Sequence, residues 1–230
     1  MIGLLKLVGT PGSLRFLFVA TVAGVGLVRF TPRFRRTGIL WLAGVYTCYL
    51  TLSLPVVATT IVDALPAATP AASSSLRPIR CVIVLDGDNR RGRVRTLTRM
   101  LDADPDVTVW ILGDRWILEA LDAGGLRRPE FRYDAQATTT YEQMRQVNDI
   151  AGSAPGRTVV IASRLQAPRV EALAAAGRVP VTILPSPIDD EPAATGVMAF
   201  VPAYTALRAS RDALYEHAAL AYYRWRGRIP

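Results

Sequence analysis

Histidine is almost missing from this chain: its 230 residues contain one, His217. A single imidazole excludes a two-histidine metal site, and it leaves no choice of base for a Ser-His pair. Cysteine is nearly as scarce. Cys48 lies within an apolar run and Cys81 opens a strand, so the two form no disulfide framework and are expected as small buried apolar residues. No glycine-rich loop ending in Lys-Ser/Thr precedes a strand, and no internal repeat is present. Nor is the net charge of +8 carried mainly by the C-terminal portion. Residues 1 to 63 hold Lys6 and five arginines against Asp63, +6 − 1 = +5, whereas residues 64 to 230 hold 21 arginines against 18 acids, +3. A nucleic-acid-binding domain concentrates its basic excess on folded surface, so nucleic acid is excluded as a partner.

Apolar sequence is abundant, at half of all residues, which is more than an α/β domain of this size needs. From Thr37 to Val62 there is no charged residue, a run of 26. As a helix rising ~1.5 Å per residue it exceeds the ~30 Å hydrocarbon core, and it is expected to span a membrane. A second apolar segment, Leu14 to Phe30, has only 13 uncharged residues between Arg15 and Arg29 and spans only if both arginines snorkel. Arg29, Arg33, Arg35 and Arg36 precede the long run, and the nearest basic residues after it are Arg77 and Arg80. The positive-inside rule therefore puts the arginine cluster in the cytoplasm and the C-terminal domain outside, with the inner-membrane bilayer as partner. A cleaved signal peptide is the competing reading, but the run is too long for an apolar core of ~7–15 residues.

Residues 63 to 78, DALPAATPAASSSLRP, read as an extended linker. Beyond them, short apolar strands alternate with helical stretches. Strands are expected at 80–85, 107–112, 130–133, 158–162 and 180–184. Helices are expected at 91–102, 116–123 with Gly124 and Gly125 as C-cap, 140–151, 168–176 closed by Gly177, and 204–225. Strands apolar throughout imply a parallel sheet covered on both faces: a doubly wound three-layer α/β/α domain, residues 79–230, with a mostly parallel five-stranded sheet.

Ligands of such folds collect outside the carboxyl ends of the strands. After the first strand comes DGDNRRGR. Asp86 and Asp88 flank Gly87 at a spacing that can hold a divalent cation, while Arg90, Arg91 and the helix N-terminus behind them suit an anion; a solvated turn with a helix-capping Asp is the plainer alternative. The second strand ends at Gly113 and Asp114. Thr138 to Thr140 followed by Glu142 fit a capping box, and Glu142 is alternatively a general base. His217, beside Glu216 on the last helix, reads as a packing residue. The aromatic and basic chain end, Tyr222 to Arg228, suits either helix packing or a membrane interface.

Taken in order, these segments resemble the bacterial YdcF, SanA and ElyC family over roughly residues 79 to 229. TTTYEQM resembles that family's Ser-x-Asn-Thr-x-Glu-Asn signature at Thr140 and Glu142, with Gln143 in place of Asn. VVIASRLQAPRVEAL resembles its strand-four segment at Ser163, Pro168 and Arg169. Pro202 and the closing helix match at Glu216, Tyr223 and Gly227. The departures are that Asp86-Gly87-Asp88 and Leu112-Gly113-Asp114 stand where the family has glycine-rich turns, and Gln166 stands in place of its histidine. A glycine-lined anion nest has thereby gained carboxylates, which repel phosphate unless a cation bridges them.

The resemblance implies an envelope protein that binds or processes an anionic molecule, a lipid-carrier phosphate or peptidoglycan precursor. Arg90 and Arg169 would contact the anion, Asp86, Asp88 and Asp114 would orient it, Glu142 would be the base, and Gly87, Gly113, Thr140, Ser163 and Gln166 would line the site. The alternative is a degenerate, non-catalytic, membrane-tethered binding module. A filled crevice at the strand tips favours the second. No cofactor is identifiable.

Overall fold

The structure, a computed structural model, describes residues 13–67, 78–87, 89–125, 131–137, 139–153, 156–189 and 195–230. The reading of 63–78 as a linker falls largely outside them. Two compact units divide the chain: residues 1–65 with 190–215, and residues 66–189 with 216–230. The helix Tyr204–Trp225 contributes to both.

In the first unit, α1 (Leu14–Phe30) starts at Ser13, whose Oγ accepts from the Phe16 N–H at 3.2 Å. A 3-10 turn, Pro32–Phe34, reverses the chain into α2 (Arg35–Leu52). The two helices lie side by side. The Trp41 indole donates to the Ala20 carbonyl at 2.9 Å, Thr21 and Tyr46 share a hydroxyl contact at 3.2 Å, and the Tyr49 hydroxyl donates to the Ser13 carbonyl at 2.6 Å. Gly38 makes the close approach possible, because a Cβ there would lie 2.8 Å from Val28 Cγ2.

The uncharged run does not form the single helix expected of it. α2 stops at Leu52, and α3 (Pro55–Asp63) begins after Leu54, which is extended at φ −77°, ψ 126°. Proline disfavours helical backbone in the residue before it and supplies no N–H of its own, which explains the break. No single described helix is long and apolar enough to cross a membrane. α1 and the segment Pro32–Leu52 meet that test only as a pair, bent by 119°. Cys48 is exposed on α2, not buried as expected. The last carbonyls of this hairpin are satisfied from the later part of the same unit: Ser53 accepts from the Ala203 N–H and Leu52 from Ser210 Oγ, each at 2.8 Å.

The second unit is the α/β domain. Its strands are β1 (Ile79–Val84), β2 (Thr108–Leu112), β3 (Phe131–Asp134), β4 (Arg157–Ser163) and β5 (Val181–Ser186), in the spatial order β3-β2-β1-β4-β5. Every pairing is parallel, as the unbroken apolar strands imply. The helices are α4 (Arg90–Ala103), α5 (Arg115–Ala123), α6 (Thr140–Ser153) and α7 (Ala167–Gly177), followed by the C-terminal part of α8 (Tyr204–Trp225). On one face of the sheet Val82, Val84, Val109, Ile111 and Ile161 pack against Leu97 and Leu101 of α4 and Ile117 and Leu121 of α5. α7 ends one residue later than expected, and Arg178, at φ 52°, takes the left-handed cap position assigned to Gly177.

Strand order reverses between β1 and β4, so the crevice characteristic of doubly wound folds lies outside the carboxyl ends of those two strands. The residues that reach it are Asp86, Gly87, Asn89 and Arg90 after β1, Gly113 and Asp114 after β2, the start of α6, and Arg164–Gln166 after β4.

Candidate functional site

The β1 tip is shaped by backbone that bulky residues avoid. Gly87 has φ 140°, and Asn89 sits in the left-handed region at φ 61°. Asp86 carries its own ligand: its Oδ1 accepts from the Gly87 N–H at 2.6 Å. Beneath the turn lies Arg93, fully buried, whose Nη1 donates to the Leu85 carbonyl at 2.6 Å and whose Nη2 donates to the Gly87 carbonyl. Arg93 shares a helical face with Leu97 and Leu101, at i, i+4 and i+8. A guanidinium in that position is stable only when hydrogen-bonded, and the strand-tip carbonyls provide its acceptors.

The N-terminus of α4 has an anion from this chain. The Asp189 carboxylate accepts from the Gly92 N–H at 2.7 Å and from the Arg91 N–H at 3.1 Å, and the Asp189 N–H donates in return to Asn89 Oδ1 at 3.0 Å. Gly92 is required here because a Cβ would collide with the Pro187 carbonyl oxygen. The two amides that suit a phosphate thus hold Asp189.

Arg90 turns toward the β2 tip, where its Nε lies 2.8 Å from Asp114 Oδ2; the arginine side chain is 52% exposed and the aspartate 3%. Asp114 also caps α5, with Oδ1 accepting from the Trp116 N–H at 3.1 Å. Gly113, at φ 85°, lets β1 and β2 tips meet: a Cβ there would stand 2.8 Å from Asp86 Cβ and 3.1 Å from Gln143 Nε2.

At α6 the capping box is formed. Thr139 Oγ1 accepts from the Glu142 N–H at 3.2 Å and Glu142 Oε2 accepts from the Thr139 N–H at 3.1 Å, so this carboxylate closes on its own helix. After β4, Ser163 Oγ accepts from the Gln166 N–H at 3.2 Å. The Gln166 side chain then bridges two elements, donating from Nε2 to the Asp86 carbonyl at 3.2 Å and to Thr140 Oγ1 at 3.5 Å. Gln166 Oε1 and Asn89 Nδ2 are buried with no hydrogen-bond partner among the described residues.

Arg169 faces elsewhere. Its Nε and Nη2 donate to Glu216 Oε2 and Oε1 at 2.7 and 2.8 Å, and its guanidinium lies 5.9 Å from the Tyr223 ring centre. The strand tips therefore bring together Asp86, Gly87, Arg90, Gly113, Asp114, Thr140 and Gln166, with Ser163 behind Gln166. Arg169 instead clamps α7 to the C-terminal part of α8. Asp88 and Thr138 lie outside the described residues, and among those described no group of three or more His, Cys, Asp or Glu side chains suits a metal ion.

Sequence reasoning missed Arg93, Asn89 and Asp189, and named Gln143 only as a departure from the signature, without a role at the strand tips. Only Arg93 left a signal, its i, i+4, i+8 register with Leu97 and Leu101. Also unforeseen is an open groove of about 460 Å³ lined by Tyr141, Met144, Arg145, Asp149, Leu173 and Arg228. Arg228 stacks over Tyr141 at 4.1 Å from the ring centre. The thiol of Cys81 is pushed up to about 11 by burial, opposed by the charge of Arg132. Compared with family models, with curated proteins and with solved structures, the chain matches none.

Proposed function

We propose that this chain is a membrane-attached envelope protein of the YdcF, SanA and ElyC type whose α/β domain, held outside the cytoplasm, is a non-catalytic binding module. One observation carries this reading: three of the described charged groups at the strand tips are engaged by partners in the same chain. Asp189 takes the α4 N-terminus, Arg90 holds Asp114, and Glu142 closes its own capping box. A general base needs its carboxylate turned toward a substrate proton, and a phosphate site needs its amides open.

The ligand class is an anionic envelope molecule, a lipid-carrier phosphate or a peptidoglycan precursor. The groove between α6 and α7 offers two arginines, Arg145 and Arg228, beside the face of Tyr141. Guanidinium pairs recognise phosphate through charge-assisted hydrogen bonds, and an aromatic face accepts the apolar part of the ligand. The hairpin of α1 and α2 attaches the domain to the bilayer.

The test uses the full chain in nanodiscs, titrated with inorganic pyrophosphate and with a polyprenyl phosphate. Binding that weakens with salt, falls about tenfold in Arg228→Ala and releases no phosphate is the expected result. Turnover abolished in Glu142→Gln would overturn the non-catalytic reading. Absence of binding to either probe would remove the anionic ligand.

A further inference from the structure

Between Glu191 and Arg208 the chain carries no charged residue, and the described part of this stretch opens its apolar side chains outward. Val197 is 80% exposed, Met198 65%, Phe200 66% and Tyr204 65%. Gly196–Phe200 is a 3-10 turn, and Ala199 is its one buried side chain. Surface turns facing water draw on Gly, Asn, Asp and Ser, and a run of large apolar side chains in that setting marks an interaction surface.

Backbone contacts fix where this turn sits within the N-terminal unit. The Ala203 N–H donates to the Ser53 carbonyl, and Ser210 Oγ to the Leu52 carbonyl, each at 2.8 Å. Both acceptors lie at the end of α2, at the opposite end of the hairpin from the turn that carries Arg29, Arg33, Arg35 and Arg36. The hairpin is itself open and apolar on its outer side, with Phe18, Phe30, Leu40 and Leu50 all exposed. A hairpin inserted with its arginine turn toward the cytoplasm brings residues 196–204 to the opposite lipid–water boundary. Their composition suits it: Val, Met and Phe for the acyl region, and Tyr204, with a polar tip, for the headgroup level.

We infer that Gly196–Tyr204 is a second membrane contact, a wedge that lies in the outer interface of the bilayer beside the hairpin. The inference rests on the membrane reading of α1 and α2. Its occupant is lipid rather than another protein because the patch adjoins the end of a hairpin that itself exposes Phe18, Phe30, Leu40 and Leu50 and that passes, as a bent pair, the length and composition test for a membrane element. The wedge would tie α8 to the bilayer independently of the chain that joins α3 to β1.

The experiment places a polarity-sensitive fluorophore on Met198→Cys in a Cys48→Ala background, in nanodiscs of phosphatidylcholine and phosphatidylglycerol that contain shallow or deep nitroxide lipids. Val197→Cys in the same background guards against one poorly folded variant. Cys81, 2% exposed, takes no label in the folded protein. The parent labelled at native Cys48, exposed on α2, reports the hairpin. Blue-shifted emission at position 198 or 197, quenched about twofold or more by shallow nitroxides, is expected. A quenched Cys48 label with iodide-accessible, water-like emission at both 198 and 197 overturns the wedge and leaves the hairpin reading intact. An unquenched Cys48 label overturns the membrane reading and the wedge with it.

Discussion

Arg169 and Glu216 form a bidentate ion pair, 2.7 and 2.8 Å, with both side chains more than nine-tenths buried. The geometry matches planar guanidinium to planar carboxylate, and the Tyr223 ring lies alongside. Removing one partner takes the bidentate counter-charge from the other in a medium that solvates it poorly, at a cost of about 3–5 kcal/mol, whereas replacing both with apolar side chains avoids that penalty. Arg169→Ala is therefore expected to shift urea unfolding of the α/β domain by that amount. Arg169→Met combined with Glu216→Leu is expected to recover most of it. Equal loss in the single and double variants would show that packing, not charge, is what the pair supplies.

Asp189 gives a second expectation. Its carboxylate satisfies two of the first amides of α4 and sits at the positive end of the helix dipole. Asp189→Ala should lose about 1 kcal/mol of stability. Inorganic phosphate, at tens of millimolar, should raise the unfolding temperature of this variant by filling the vacated position, and should do little for the parent. If phosphate stabilises both equally, the carboxylate does not hold the anion position.

Glu142 separates capping from catalysis. Glutamine can accept the Thr139 N–H through its own carbonyl, so Glu142→Gln should leave stability within ~0.5 kcal/mol of the parent, while Glu142→Ala should cost about 0.5–1 kcal/mol. Circular dichroism melts read both. A normal melt for Glu142→Gln makes that variant a clean probe in the turnover assay.

The order of elements in the α/β domain was legible because β1, β2, β4 and β5 each carry an apolar run, short β3 (FRYD) being the exception, and because α4 keeps Val94, Leu97 and Leu101 on one face. The capping box was legible from the run Thr138 to Thr140 followed by Glu142, though which threonine caps was settled only by the structure, at Thr139. Asp189 was not, because it meets the α4 N-terminus from about a hundred residues away and no local pattern announces that pairing. Arg169 shows the same limit: it was expected at the strand tips from its place after β4, but its partner lies on α8. The uncharged run of 26 residues was legible in composition and not in shape. Its lack of charge gave apolar length, while Pro55 broke the helix that this length implied.

Cys81 yields a prediction in which sign matters. Burial in β1 favours the neutral thiol, so its pKa rises from 9.0 to about 11 in the folded protein. Below pH 9 the thiol is protonated whether the chain is folded or not, and the stabilities are unaffected by it. Between pH 9 and 11 the unfolded chain gives up the proton and the folded chain keeps it, so ionisation favours unfolding and stability falls as pH rises. The full effect is of order 2–3 kcal/mol, since one pKa unit corresponds to about 1.4 kcal/mol. Cys81→Ala is expected to have a different absolute stability, from lost packing, but a shallower decline across that window. Urea unfolding of both proteins at half-unit pH steps from 8 to 11 gives the comparison. Parallel curves would mean that the thiol ionises equally well in both states, in a site open to water.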